Sequence, residues 1–204
     1  MIDPEYVAKV ENSYRVLKED LTRMKTDTNT ADFVLKTSSE SRVFPVHKAI
    51  LCNRSSVFRA MFSSDMAEVS AGEAIITDLH EDTLEELIHF LYTGGLSGRE
   101  CNLVSLFYAA KKYELASLVD LARLKLISAE LDVTQLADLF IASEMFSQEG
   151  LFEIAQEKLT EGMWKKGMEV RDVMEKGVRV RDVLEKIKNR PELTKKILGQ
   201  KSKK

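Results

Sequence analysis

Two cysteines, three histidines, three prolines and one tryptophan in 204 residues leave little material for several familiar chemistries. Cys52 and Cys101 stand 49 positions apart with no Cys-x-x-Cys pair, so no disulfide framework is implied and two reduced thiols in a reducing compartment are expected. His47, His80 and His89 have no His-x-x-x-His or Cys-x-x-Cys partner, so no closed ligand set can be named for a structural metal, and no cofactor is expected. The opening stretch MIDPEYVAKVENSYRVLKED mixes charges throughout and has no apolar run. It is neither a secretion signal nor a membrane span, and the chain is expected in the nucleus or cytoplasm with no membrane partner. The glycines of YTGGLSG lack the Lys-Ser/Thr of a phosphate-cradling loop and follow no parallel strand. No enzyme motif survives, and the chain is read as non-enzymatic.

What is present is enough to fold. With 44% hydrophobic and 31% charged residues the chain can bury a core, and one or two compact domains are expected. The net charge of -3 conceals an asymmetry: residues 1–160 hold 16 Lys and Arg against 26 Asp and Glu, whereas residues 161–204 hold 14 against 7. The two parts are expected to do different jobs. In the tail, however, basic residues alternate with acidic ones (VRDVMEKGVRVRDVLEK) and no aromatic platform accompanies them beyond Trp164. That pattern favours a solvated helical face over a nucleic-acid surface. GQKSKK reads either as a weak nuclear import signal or as a disordered end.

One segment asks for a chemical explanation. RVFPVHKAILCNRSSVF brings His47, Lys48 and Cys52 together, which suits a thiol nucleophile with its base, half a metal site, or plain packing. Cys52 follows Ile50 and Leu51 on an apolar helix, so a buried structural thiol is the expectation.

Periodicity supplies the architecture. Val7, Val10, Tyr14, Leu17, Leu21 and Met24 recur every three or four residues, a helix with a narrow apolar seam that either lies on its own domain or pairs with a second copy of the chain. It should run out in KTDTNTAD. Residues 32–36 and 42–46 flank the turn TSSE as a hairpin, and EAIIT (73–77) is a third strand. From His47 a helical period lets Ile50, Leu51, Phe58, Met61 and Phe62 share a face. EDTLEELIHFLYTGG is a helix stopping at Gly94 and Gly95. Leu103, Leu106, Phe107 and Ala110 form one helical stripe and Leu115, Leu118, Val119 and Ala122 another, with a tight turn near KKYE. DVTQLADLFIASEMF, carrying Leu136, Leu139, Phe140 and Ser143, and QEGLFEIAQEKLTEGMW, carrying Leu151, Ile154, Ala155 and Leu159, complete the array. The fold class is α+β: a small sheet followed by a helical array. In the tail VRDVMEK recurs as VRDVLEK ten residues on; on one helix the second face would be turned by about 80°, so Gly177 is expected to separate two short helices, with a last helix in NRPELTKKILGQ.

The order ADFVLKTSSESRVFPVHKAILCNRSSVFRAMFSSDMAE, IITDLHEDTLEELIHFLYTGGL, LFYAAKKYELASLVDLARLKL resembles the BTB/POZ domain over residues 31–127. The resemblance implies that the His-Lys dipeptide opens a helix packed on the sheet, that His47 is a packed fold residue, and that Lys48 faces Asp32 in a charged pocket of a dimer interface shared with Ile50. The subgroup it is most similar to is the speckle-type POZ proteins, substrate adaptors of cullin-3 ubiquitin ligases. By that likeness Leu17, Leu21 and Met24 lie on an N-terminal dimerisation helix (1–30), the helical pair of 128–162 corresponds to the three-box that extends the cullin surface, and 163–204 is a basic helical tail. Met66 and Glu68 of the MAE triplet and Tyr92 of FLYTG match cullin-contact positions. The substrate-capturing MATH domain of that subgroup has no counterpart in the thirty or so residues before the BTB core. The implied function is a homodimeric adaptor joining cullin-3 to an unknown protein substrate; the alternatives are a BTB scaffold or transcriptional co-regulator that binds no cullin, or a nucleic-acid binder acting through the tail.

Overall fold

Asp3 sets where the first helix begins: its carboxylate accepts the Glu5 N–H at 2.9 Å, and Pro4 fills a first-turn position that needs no donor. The resulting helix, α1 (Pro4–Thr26), ends where Asp27 accepts from the Asn29 N–H and the Thr30 hydroxyl, so KTDTNTAD does terminate it. The computed structural model describes residues 3–39, 41–63, 71–145, 149–166 and 171. They fall into two compact units, residues 1–122 and residues 123–204.

In the first unit β1 (Phe33–Thr37) pairs antiparallel with β2 (Val43–Val46), with Phe33 opposite Val46 and Leu35 opposite Phe44. β3 (Glu73–Ile76) lies on the other side of β1 and runs parallel to it, giving the order β2-β1-β3. Phe33, Leu35 and Thr37 point into the core, while Lys36 on the outer face pairs with Glu73 at 2.6 Å. All three strands lie within a residue of their expected bounds. The hairpin turn is tied to the next helix, because the Ser39 and Ser41 hydroxyls donate to Glu81 and hold its carboxyl below the usual range.

The helical stretch expected after His47 is two helices rather than one: α2 (Lys48–Arg54) and α3 (Ser56–Phe62). Ser55 makes the break. Its backbone is extended, its side-chain oxygen accepts the Phe58 N–H at 3.3 Å, and its hydroxyl donates to the Tyr113 carbonyl at 2.7 Å. The break turns Phe58 onto Tyr113, with ring centroids 4.6 Å apart, and burial pushes the Tyr113 phenol well above its ordinary pKa.

α4 (Glu81–Thr93) contributes Leu84, Leu87, Ile88 and Leu91 to the core and stops at Gly94, whose φ of 70° is the left-handed cap expected there. α5 (Leu103–Lys112), capped by Asn102, packs on α4; Tyr113 and Glu114 make the tight turn into α6 (Ala116–Ser128). Fold class is thus α+β as expected, with eight helices and three strands among the described residues.

In the second unit α7 (Val133–Met145) opens with a reciprocal box, Asp132 accepting the Gln135 N–H and the Gln135 side chain accepting the Asp132 N–H. It packs against α8 (Glu149–Lys166) through Leu136, Leu139 and Phe140 on one side and Leu151, Ile154, Ala155 and Leu159 on the other, the residues that periodicity singles out. The VRDV repeat, Gly177 and the closing helix lie outside the described residues, apart from Arg171.

Candidate interaction surface

α1 is a helix of 23 residues, about 35 Å long, with no buried residue. It lies beside α4, where Leu21, Met24 and Lys25 are half-buried, yet Tyr14 is 70% exposed and Leu17 54% exposed. Tyr6 and Val7 continue the exposed apolar line toward the N-terminus. Such a stripe on one element is what an association surface looks like before its partner arrives.

The side of α1 that meets α4 carries cations beside its half-buried apolar residues. Lys18 brings its ammonium within 3.2 Å of where a Cβ at Gly95 would sit, so glycine suits that approach. Burial lowers the pKa of Lys25, with Glu85 opposing and Arg99 adding to the shift. On α4, burial and then the Lys25 charge hold His89 below its ordinary 6.5, against the pull of Glu86 and with further help from Lys18 and Arg99. The unfolded chain therefore binds a proton at His89 that the folded one resists, and this group leaves stability undiminished above about pH 6.5 and subtracts from it as pH falls below that value. Urea midpoints are expected to drop between about pH 7.5 and pH 5.5, with His89→Gln removing part of the drop; parallel curves for the two proteins would sink this assignment.

Asp32 and Lys48 do meet, though not as two opposite charges. The Asp32 carboxylate accepts the backbone N–H of Lys48 at 2.8 Å and so caps α2 from across the chain, a role that the side chain of His47, the residue at the cap position, does not fill. The Lys48 ammonium instead lies over the Phe33 ring at 4.9 Å and the Phe62 ring at 5.8 Å. Asp32 is exposed and Lys48 and Ile50 are half-buried in the single chain. Within the single chain the two residues thus act as a cap and as a cation resting on two rings.

Tyr92 is also placed differently from a partner contact. It is 3% exposed, and its oxygen accepts the backbone N–H of His47 at 2.9 Å. The same hydroxyl is 2.7 Å from His47 Nδ1, and in the neutral ring whose hydrogen sits on Nε2 the phenol donates to that nitrogen. The other ring nitrogen, Nε2, then carries hydrogen and donates to the Thr30 hydroxyl at 2.9 Å, which in turn donates to Asp27. One consistent set of donors runs from the end of α4 to the end of α1. Both ring nitrogens of His47 are engaged by Tyr92 and Thr30 rather than by Cys52, which is half-buried where a buried thiol was expected. Composition and spacing gave no hint of Thr30 or Asp27; the tyrosine inside an apolar helix was the available signal, since a buried phenol needs a partner.

Met66 and Glu68 lie outside the described residues. The chain is described up to Ser63, just past α3, and again from Ala71, just before β3.

A family model of the BTB/POZ domain matches residues 21–130, more than half of the chain. The chain belongs to the BTB/POZ domain family. One BTB/POZ domain-containing protein of Arabidopsis thaliana is 38% identical over 114 residues, covering 53% of this chain and 55% of that protein. A second from the same plant is 32% identical over 126 residues, covering 60% and 44%. Kelch-like protein 40 of Xenopus laevis is 31% identical over 103 residues, or 50% of this chain and 16% of that protein. The chain spans about half the length of the first of these relatives. Within this BTB/POZ chain, no helix among the described residues is long and apolar enough to cross a membrane.

Proposed function

We propose that this BTB/POZ chain is a homodimeric, non-enzymatic adaptor that couples cullin-3 to a protein substrate. The observation that supports dimerisation most directly is the apolar stripe of α1, exposed from Tyr6 to Leu17 although the helix is docked on its own unit. For the cullin, support comes from the MAE triplet in the segment between α3 and β3 and from the helical pair α7–α8 after the BTB core, both in the order of the speckle-type POZ proteins. An apolar side chain that fills a pocket supplies affinity and a neighbouring carboxylate fixes orientation, which assigns Met66 the anchor and Glu68 the orienting role. Tyr92 serves this surface indirectly, by holding the start of α2 to the end of α4. Asp32, Lys48 and Ile50 line the dimer side in the same reading.

Replacing Met66 with Asp places an ion where a desolvated apolar anchor belongs, a loss of about 2 kcal/mol or more, roughly thirtyfold in affinity. Calorimetry of cullin-3 binding is expected to show that loss for Met66→Asp with an unchanged melting temperature. Equal affinities for the two proteins would leave the cullin-free dimeric scaffold as the better reading.

A further inference from the structure

The contact between α1 and α4 buries little and crowds like charges together. None of the 23 residues of α1 is buried, and apart from Val10 the half-buried ones, Leu21, Thr22, Met24 and Lys25, gather in its last two turns. A segment that buries so little opens far more readily than the core beneath it. Across the contact, His89 of α4 feels the ammonium groups of Lys25 and Lys18 from α1 and the guanidinium of Arg99 from the stretch after α4. Arg54 of α2 stands at the same end of α4, 3.8 Å from where a Cβ at Gly94 would lie and 5.5 Å from the centre of the Phe90 ring. The two nearby carboxylates are already engaged: Glu85 pairs with Arg42 and Arg99, and Glu86 accepts from the Ser97 N–H at 2.7 Å and from the Ser97 hydroxyl. A proton on His89 therefore adds a cation to a half-buried place that already faces three. Burial opposes that proton first, then Lys25, with Lys18 and Arg99 behind it, against the pull of Glu86.

We infer that His89 is the catch of a proton-operated clasp: its protonation loosens the last two turns of α1 from α4 and turns Leu21 and Met24 to solvent, while the sheet and helices beneath stay folded. When α1 lifts, the imidazolium is hydrated, so the released state takes up the proton that the docked state resists. Docking is unaffected above about pH 6.5 and weakens as pH falls below it. With one such group, whose released state keeps its ordinary 6.5, the docking equilibrium shifts by at most about tenfold between pH 7.5 and pH 5.5. Release also lengthens the apolar seam. Leu21 and Met24 join Val7, Tyr14 and Leu17, so a partner of α1 meets a longer surface in the released state than in the docked one. The inference needs only the α1–α4 contact and stands apart from the cullin reading.

Amide hydrogen exchange of the full chain, at one fixed protein concentration and with each rate divided by its intrinsic value at the same pH, tests this. Once undocked, the end of α1 is a lone helix that frays in water, so its amides report release. Protection of residues 21–26 is expected to fall several-fold, up to about tenfold, from pH 7.5 to pH 5.5, and to stay level in His89→Gln. Low urea separates release from global unfolding: the α1 amides should hardly respond to it, whereas core amides of α5 such as Phe107 and Ala110 should respond steeply. Protection of α1 that ignores pH, that falls equally in His89→Gln, or that follows the urea dependence of α5 would overturn the inference. The same measurement in the chain carrying Tyr14→Asp and Leu17→Asp removes association through α1. Persistence of the pH effect there assigns it to the α1–α4 contact, and its disappearance would assign it to association and overturn the clasp.

Discussion

A chain carrying Tyr14→Asp and Leu17→Asp is expected to run as a folded monomer at micromolar concentration, where the unmodified chain runs as a dimer by light scattering. The two side chains are 70% and 54% exposed in the single chain, so placing carboxylates there removes little packing within its fold. In a dimer that closes over the α1 stripe, the same carboxylates would be desolvated without a partner, four of them across a two-fold interface. Each unpaired burial costs several kcal/mol, and together they shift the association equilibrium by far more than a hundredfold. Leu21 and Met24 are less suitable probes, because they are already half-buried and their replacement would also loosen α1. A double variant that still scattered as a dimer would remove α1 from the interface.

The second large effect is expected inside the domain. Exchanging His47 for Phe keeps a ring in the space but deletes both nitrogens, leaving the buried Tyr92 hydroxyl with no acceptor and the Thr30 hydroxyl without its donor. A loss of about 2–3 kcal/mol is expected for His47→Phe, and a similar one for Tyr92→Phe, which orphans the His47 backbone N–H. Because the two changes break one network, the double variant should lose less than the sum, by about 1 kcal/mol or more. Urea unfolding of the four proteins at one fixed protein concentration measures this, the fixed concentration being needed for a chain that associates. Additive losses, or a His47→Phe loss below about 0.5 kcal/mol, would show that the hydrogen bonds are not coupled.

These expectations show which features the sequence made legible. Periods of two and of three to four placed the three strands and the helices of both units, because burial of one face leaves a residue-by-residue mark. Glycine at position 94 marked the end of α4 for a steric reason that is visible in one letter. The break at Ser55 was not legible: the apolar period runs straight through it, and the serine acts by accepting from Phe58 and donating to Tyr113, a residue 58 positions away. The same holds for Asp32. The family resemblance suggested a charge partner, and only the fold shows that within the chain it meets a backbone N–H at the start of a helix. Motif likeness drew attention to Tyr92 as a contact with other proteins, whereas burial gives it an internal task. Residues that act along one element announce themselves by spacing; residues that join distant elements do not.

The parallel pairing of β1 with β3 bears on how quickly the first unit can assemble. The hairpin of β1 and β2 closes over a few residues and can form on a microsecond scale, but Val34 cannot meet Glu73 until the whole intervening stretch has been drawn in. That stretch carries Leu51 and Phe58, so docking of α2 and α3 is the event that makes the long closure favourable. Folding of the unit is therefore governed by a late, non-local step, and its rate belongs with mixed α/β domains rather than with helical bundles of the same size. While that step is pending the β3-facing edge of β1 stands open with its backbone N–H and C=O groups unpaired, and a newly made chain is at its most vulnerable to mispairing during that interval.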